Sequence, residues 1–320
     1  MPENPSKTSN HQRIKEMIYH LTPEKAAIPY NLCFDDSNNL WVACKGGLFK
    51  FDDSSTKKLV FSMKNDFPKK IAAYPQILLY KSKLIYVTGD SELIQFRILD
   101  QSGNIEHESF IEGKVQSLAI TKQGDLFMTK QMKPSEQTQT DSSGGMDESI
   151  IWRSHIDFPS AWDEFSSSFD ECFQCLCLLD DETLAVSVAS IPVNIYSKQS
   201  IKLLNIKTGQ LIGKPFSSCG KEKGQIFFPR CIRSCNKNNN LLIMDKTGRF
   251  QKFDKNGNFI EISAKIDDYI GNGFTLKNEE EENEAIIACS GIVLDESGTS
   301  ICDDWIESIK LNGSRWTPEE

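Results

Sequence analysis

The sequence predicts an all-β chain that forms a six-bladed β-propeller of four-stranded antiparallel blades. Three observations support this prediction. Short apolar runs alternate with polar turns along most of the chain, this order recurs about every 40 to 50 residues, and the 320 residues hold six copies of it. Repeats of this length, each with several strands, are the usual sequence pattern of a propeller.

The clearest copy lies at residues 228–260. The polar run at 236–240 is a turn between two apolar runs, and residues 249–254 alternate between apolar and polar, as in a strand with one buried face. A second polar turn follows, in which Gly257 can adopt a positive φ, and a fourth strand begins at Phe259. Four short strands joined by tight turns form one antiparallel sheet, which is one blade.

The chain divides into approximate blades on the same pattern, at residues 30–63, 72–113, 115–168, 172–218, 227–266 and 285–316. The last copy has room for only three strands. We expect residues 13–21 to supply its outer strand and close the ring, because an open ring would leave a sheet edge unpaired. The same segment also fits a helical stripe. Residues 1–12 are expected to be a flexible N-terminus, so that 13–316 form a single domain.

Composition excludes several classes of protein. No run of 18 apolar residues is present, and the first residues lack the apolar stretch of a signal peptide. We therefore expect a cytoplasmic protein, with a nuclear location left open, and no membrane partner. The ten cysteines fall mostly in strand runs, which favours buried free thiols. Cys172 and Cys175 have the spacing of a zinc knuckle without a matching second pair, so no metal or other cofactor is expected.

The fifth copy resembles a known repeat. Pro229, an apolar run that ends at Asp245, the Arg-x-Gln-x-Phe strand at 249–253 and the turn from Asp254 to Gly257 are similar to the NHL repeat. The first and last copies share part of this pattern, whereas the third and fourth lack the aspartate after the second strand. The resemblance implies a six-bladed ring and leaves three functions to compare, because such propellers host several activities.

One group of NHL propellers binds single-stranded RNA on a basic face. Here the formal net charge is -9 and the sequence pI is about 5.2, so a phosphate-binding surface would have to be a local patch. The basic candidates are Lys64, Lys69, Lys70, Lys214, Lys221, Lys223, Arg230 and Arg233. RNA binding therefore ranks second.

The resemblance also implies an enzyme branch, in which gluconolactonase-like propellers hold a metal in the central channel with inward-facing side chains. The innermost strands offer five inward-facing candidates here: Asn31, Asp35, Gln116, Gln174 and Arg233. No set of carboxylates repeats from blade to blade. A metal-dependent, gluconolactonase-like hydrolase therefore ranks third.

The remaining branch is a ring that presents loops to another protein. An insert at 131–148, rich in Ser, Thr, Gln and Gly, is expected to be disordered, and we expect an acidic loop at 278–284 on the same face. Aromatic residues beside the insert are suited to anchor a partner. The candidate partner-binding residues are Phe158, Trp162, Phe165, Glu279, Glu280, Glu281 and Glu282. The sequence thus favours a non-catalytic scaffold with a basic protein partner.

Overall fold

The protein is a ring of six antiparallel sheets around a central channel, as the sequence predicts. The computed structural model describes residues 17–21, 28–54, 57–65, 74–90, 93–131, 149–235, 238–267, 269–277, 283–294 and 300–312. All strands and turns discussed below lie in these ranges, and the expected flexible segment 1–12 lies outside them. Within the same ranges, no helix is long and apolar enough to cross a membrane. The innermost strands of neighbouring blades contact one another in cyclic order, which closes the ring.

The first three blades follow chain order from the channel outward, after strand β1 (Met17–His20), which belongs to the last blade. Blade one contains β2 (Pro29–Phe34), β3 (Leu40–Cys44), β4 (Gly47–Phe51) and β5 (Leu59–Lys64). Blade two contains β6 (Gln76–Tyr80), β7 (Lys83–Gly89), β8 (Leu93–Asp100) and β9 (Ile105–Glu112). Blade three contains β10 (Lys114–Ile120), β11 (Asp125–Gln131), β12 (Ser149–His155) and β13 (Asp163–Ser168).

Blade four differs from the prediction because it has three full strands. These are β14 (Glu171–Leu178), β15 (Thr183–Ser190) and β16 (Gln199–Asn205). Its outer edge is covered by a segment in which Leu211 and Phe216 form only isolated bridges to β16. Pro215 lies within this segment and has no N–H to donate, so a continuous fourth strand is interrupted there.

The last two blades complete the ring. Blade five contains β17 (Pro229–Cys235), β18 (Asn240–Asp245), β19 (Arg249–Phe253) and β20 (Phe259–Lys265). Blade six contains β21 (Tyr269–Leu276), β22 (Glu284–Leu294) and β23 (Ser300–Lys310), with β1 outermost. Strand β1 pairs antiparallel with β23, so the predicted closure by an N-terminal strand is confirmed and the helical alternative is wrong.

The innermost strand of blade six is β21, and not the run after residue 285 that the sequence suggested. Two glycines, Gly271 and Gly273, weaken the strand pattern of β21. The packing requires them, because a Cβ at Gly273 would lie 2.0 Å from the backbone oxygen of Tyr30 in blade one. The acidic segment 278–284 therefore lies within blade six, between β21 and β22, and does not connect two blades.

The core lies between neighbouring blades, where buried apolar residues form six clusters. Strands β3 and β18 are buried at every position, because both faces of a blade pack against its neighbours. The outer strand β5 instead alternates between half-buried and exposed residues. Each large side chain that is fully buried, such as Trp41, contributes roughly 1.5 to 3 kcal/mol to stability.

Three tight turns share the sequence Asp-x-x-x-Asn and begin at Asp35, Asp100 and Asp254. In each turn the carboxylate accepts hydrogen bonds from the backbone N–H groups two and four residues later and from the asparagine side chain. Burial acts to raise the pKa of Asp35 and of Asp254, but the hydrogen bonds outweigh it and lower both. These charged turns fix the ends of the strands.

Candidate functional site

A pocket of about 330 Å³ opens into the channel at the end where the innermost strands begin. All six innermost strands contribute to its wall, together with Val193 from the β15–β16 loop and Lys246 from the β18–β19 loop. Binding sites for small molecules are concave and carry a few converging polar groups. The pocket is therefore the candidate functional site.

β-Bulges direct side chains into this pocket. The pairing register shifts on five of the innermost strands, and the extra residues are Tyr30 on β2, Gln116 on β10, Gln174 and Cys175 on β14, Arg230 on β17 and Asn272 on β21. Every one of these residues lines the pocket. An extra residue in one strand reorients its side chain, which explains how regular blades place a polar ring at the channel mouth.

Of the five inward-facing residues that the sequence proposed, four line the pocket: Asn31, Gln116, Gln174 and Arg233. Asp35 does not. Its carboxylate lies in the Asp-x-x-x-Asn turn, accepts a hydrogen bond from Trp41 Nε1 at 3.0 Å and pairs with Lys50 Nζ at 2.9 Å. The aspartate thus stabilises blade one instead of facing the channel.

The sequence pattern did not indicate the pocket residues Tyr30, Gln76 and Asn272. A local signal exists for part of the set, because Tyr30, Gln76 and Arg230 each directly follow a proline at the start of an innermost strand. In these three strands, the proline marks the end that lies at the pocket. The signal for Asn272 is absent, since the glycines on either side of it obscure the strand.

Positive charge is concentrated at the pocket. Arg230, Arg233 and Lys246 line it, and the described residues of the lining include no carboxylate. Arg233 Nη2 donates to Asn31 Oδ1 at 3.4 Å, and the Lys246 ammonium lies 5.7 Å from the centre of the Phe228 ring. Arg230 and Arg233, two of the candidates for RNA binding, thus face a small cavity. Such a cavity accommodates a small molecule better than a strand of nucleic acid.

Hydrogen bonds hold part of the polar ring in place across three blades. Arg233 donates to Asn31, whose Nδ2 donates to Gln76 Oε1 at 2.9 Å. Gln76 Nε2 in turn donates to the backbone oxygens of Tyr74 and Pro75, both at 3.2 Å. The side chains of this network are positioned before any ligand binds, which reduces the entropy lost on binding.

Two buried polar atoms of the pocket have no hydrogen-bond partner among the residues that the structure describes: Gln174 Oε1 and Arg230 Nε. Buried polar groups in proteins are nearly always paired, so an unpaired acceptor and an unpaired donor in one cavity are unusual. Each atom is itself buried, so neither is exposed to the open space of the cavity.

Three thiols also line the pocket, from Cys172, Cys175 and Cys231. Burial raises the pKa of the Cys175 thiol to about 12, so this thiol is protonated near neutral pH. A thiol in that state is a poor nucleophile and a poor metal ligand. Cys175 therefore serves as a small apolar wall residue.

The pocket does not fit a divalent metal ion. In the part of the chain that the structure describes, no group of three or more His, Cys, Asp or Glu side chains could hold one. The amide oxygens that face the channel have the guanidinium of Arg233 beside them, and its positive charge opposes a second cation. A lactonase-type metal centre is therefore not formed by these side chains.

The aromatic residues proposed for partner binding are mostly packed. The Trp162 ring lies edge-to-face on Phe96 at 5.7 Å, and its Nε1 donates to the Pro159 backbone oxygen at 2.8 Å. Phe165 packs edge-to-face on Phe127 at 4.9 Å. Only Phe158 is largely exposed, at 71%. Glu279, Glu280, Glu281 and Glu282 lie outside the described residues.

The insert and the acidic loop do not connect strands at the same end of the blades. The innermost strands begin at the pocket end, so β11 returns to that end before the insert, of which residues 132–148 lie outside the described part of the chain. Strand β21 instead runs away from the pocket and ends before the acidic loop. The strand ends that flank the two segments are therefore at opposite ends, and the expectation of a common face is wrong.

Fold and pocket together define a six-bladed β-propeller with a polar cavity at the channel mouth, and the comparisons with known proteins agree on the fold. No protein-family model matches the chain, so the NHL assignment is not confirmed beyond the propeller itself. The structure is similar to a selenomethionine-substituted virginiamycin B lyase from Staphylococcus aureus, with 13% identity over 91% of this chain and 86% of that chain and a TM-score of 0.54.

Two further solved structures show the same likeness. A catalytically inactive variant of the Staphylococcus aureus lyase, solved with quinupristin, has 11% identity over 90% of this chain and 86% of that chain and a TM-score of 0.54. A gluconolactonase from Xanthomonas campestris has 12% identity over 89% of this chain and 87% of that chain and a TM-score of 0.57. At these identities the likeness establishes the shared fold.

These matches correct the main functional prediction. The solved propellers named above are a lyase and a gluconolactonase, whereas the sequence favoured a non-catalytic scaffold. That leading interpretation is wrong, because these matches favour the gluconolactonase-like alternative over it. Among the described residues, the cluster of converging polar groups lies in the channel pocket and not on the proposed aromatic face.

Proposed function

We propose that this propeller binds a small organic anion in the channel pocket. The observation that supports the proposal is the concentration of Arg230, Arg233 and Lys246 around one cavity whose described lining has no carboxylate. A partly buried cation without a counter-charge is costly, and a bound anion removes that cost. A guanidinium also matches a carboxylate or phosphate with two parallel hydrogen bonds.

The surrounding charge makes the attraction local. The formal net charge of -9 repels anions at a distance, so only an anion that enters the pocket encounters a net positive environment. The ring of amides from separate blades then supplies hydrogen bonds to neutral polar groups of the same ligand. Selectivity therefore requires both an anionic group and a size that fits about 330 Å³.

The experiment is isothermal titration of the full chain with matched acids and amides. The first pair is 3-phenylpropionate and 3-phenylpropanamide, which differ in charge and hardly in shape, followed by a panel of small carboxylates and phosphates. We expect the acid to bind at least tenfold more tightly than the amide, because a hydrogen bond to a charged group contributes about 1.5 to 3 kcal/mol.

Arg230→Met tests the role of the cation. We expect it to lower the affinity for the acid by about tenfold or more, whereas the matched variant Arg153→Met keeps the affinity of the wild type. Arg153 lies on β12, pairs with Asp125 at 2.7 Å and does not line the pocket. Equal binding of acid and amide, or no binding of any anion in the panel, would contradict the proposal.

A second candidate is hydrolysis of a small lactone or ester in the same pocket. The match with a gluconolactonase favours it. Turnover of dihydrocoumarin, measured with EDTA and then with added Ca²⁺ or Mn²⁺, tests this candidate. Turnover that disappears on chelation would support a metal-dependent hydrolase and show that ligands outside the described residues complete its site. Absence of turnover under every condition contradicts it.

A further inference from the structure

The loop between β15 and β16, residues 191–198, exposes three large apolar side chains within four residues. Val193, Ile195 and Tyr196 are 42%, 61% and 87% exposed. Single apolar side chains scattered over a surface are ordinary, whereas a contiguous apolar patch marks a place where something binds. This loop is therefore a candidate binding surface.

The polar groups of the loop hold its backbone in this conformation. The buried Ser197 hydroxyl donates to the Pro192 backbone oxygen at 2.9 Å and accepts a hydrogen bond from the Asn194 N–H at 2.8 Å. The side-chain oxygen of Asn194 accepts a second bond, from the Tyr196 N–H at 2.8 Å. Because these bonds fix the backbone around the apolar residues, the loop cannot cover those side chains without breaking them.

Two connections place the loop at the mouth of the pocket. Val193 lines the cavity and is also partly exposed, so it lies where the cavity opens to solvent. Gln199, the first residue of β16, accepts a hydrogen bond through Oε1 from the N–H of Phe228, another lining residue. Ile195 and Tyr196 lie between these two points, and a chain spans at most about 3.6 Å per residue. The backbone of Tyr196 is therefore within about 11 Å of Val193 and of Gln199.

The cavity thus combines a cationic lining, from Arg230, Arg233 and Lys246, with an apolar patch at its mouth. We propose that the bound anion carries a long alkyl chain, which leaves the cavity and packs on Ile195 and Tyr196. This inference rests on the proposed anion binding. Only the carboxylate and the first part of the chain must then fit within the cavity.

The two parts of such a ligand match two different surroundings. The amides and cations of the channel wall bind a charged, polar head, whereas an alkyl chain gains free energy only where it removes apolar surface from water. The exposed loop offers such a surface next to the opening. The ligand class is therefore long-chain alkanoates, and not small hydrophilic acids.

Two acids that differ only in chain length test the inference. Isothermal titration of the full chain compares hexanoate with dodecanoate, both below the concentration at which micelles form. Complete burial of one methylene raises affinity about fourfold, so even partial burial of the added chain should favour dodecanoate by about tenfold or more.

A double variant of the loop, Ile195→Ser with Tyr196→Ser, removes the apolar patch. We expect it to lower the affinity for dodecanoate about tenfold and to leave the affinity for hexanoate unchanged. The matched control is Ile105→Ser with Phe110→Ser, which removes two exposed apolar side chains of β9 that do not line the pocket. It should keep the wild-type preference, and thermal unfolding verifies that each variant folds.

Arg230→Met tests whether the head of the same ligand lies in the pocket. It should weaken both acids by the same factor, about tenfold, because they present the same carboxylate. If Arg230→Met weakens hexanoate and leaves dodecanoate unchanged, the long acid binds without its head in the pocket and the inference fails.

The outcomes separate this inference from the proposed function. If the wild type binds hexanoate as tightly as dodecanoate, the alkyl chain is refuted while anion binding stands. If the loop variant keeps the full preference for dodecanoate, the chain does not lie on Ile195 and Tyr196 and the inference fails. If neither acid binds but other anions of the panel do, the inference alone fails. If no anion binds, the proposed function fails and the inference with it.

Discussion

Arg249→Met is expected to destabilise the ring, because Arg249 anchors an irregular segment of blade five. Its Nη2 pairs with Asp245 Oδ2 at 2.6 Å, and the two side chains are 6% and 0% exposed. The guanidinium also donates to four backbone oxygens of the segment that leads into β17, those of Gly220, Lys221, Glu222 and Gln225. The substitution removes these five interactions and the hydrogen bond from Nε to Thr247 Oγ1, and it leaves a buried carboxylate.

Breaking a buried ion pair by removing one partner costs about 3 to 5 kcal/mol. With an unfolding entropy of about 2.1 cal/mol/K per residue, this loss lowers the melting temperature of a 320-residue chain by about 4 to 7 °C. Asp245 keeps hydrogen bonds from Thr247 and from the Phe227 N–H, which places the expected loss toward the lower end.

The assay is thermal and urea unfolding followed by circular dichroism. The matched variant Arg153→Met breaks a more exposed pair and should cost less than about 1 kcal/mol. Adding Asp245→Asn to Arg249→Met should destabilise less than the sum of the single changes, since no buried charge remains. A loss for Arg249→Met no larger than that for Arg153→Met would refute the reasoning.

Three further predictions concern backbone and protonation. Gly248→Ala should destabilise by more than Gly213→Ala, as measured by urea unfolding, because both glycines have positive φ but only a Cβ at Gly248 would collide with a backbone oxygen, at 2.2 Å. Burial raises the pKa of Cys175 and of Cys177 from 9.0 to about 12, so the native state keeps protons that the unfolded state loses. The free energy of unfolding should therefore fall by about 1.4 kcal/mol per pH unit for each thiol between pH 9 and 12. A free energy of unfolding that does not change with pH in that range contradicts this. The lowered pKa of Asp35 has the opposite effect on stability. Its stabilising contribution is present above the ordinary pKa of 3.8 and is lost as the pH falls through the lowered pKa. Asp35→Asn should abolish this pH dependence in acid unfolding.

The repeat pattern was sufficient to predict most of the architecture. In blade five the polar turns, the alternating strand at 249–253 and the Asp-to-Gly turn all appear where the sequence indicates them. Each of these features depends on neighbouring residues, so local sequence specifies it. Strand β21 was missed because its glycines serve contact with Tyr30 of blade one and with Met244 of blade five, partners that are distant in the chain.

The site was only partly predictable. Innermost strands can be located by pattern, which is why Asn31, Gln116, Gln174 and Arg233 were identified as inward-facing. The bulges that expose Tyr30 and Asn272 depend on pairing between strands, and no single strand's sequence records them. Trp162 illustrates the converse, because its contact with Phe96 of the neighbouring blade could not be distinguished from surface exposure by composition.

The sequence by itself determined most of the strands, the turns and the number of blades, because period-two alternation and turn chemistry act over a few residues. The tertiary structure alone decided what faces the channel. Residues from six blades, more than 200 positions apart in the case of Asn31 and Arg233, converge on one cavity only after the ring closes. The positive charge of the pocket arises because these residues come together in the fold. The formal net charge of -9 does not indicate it.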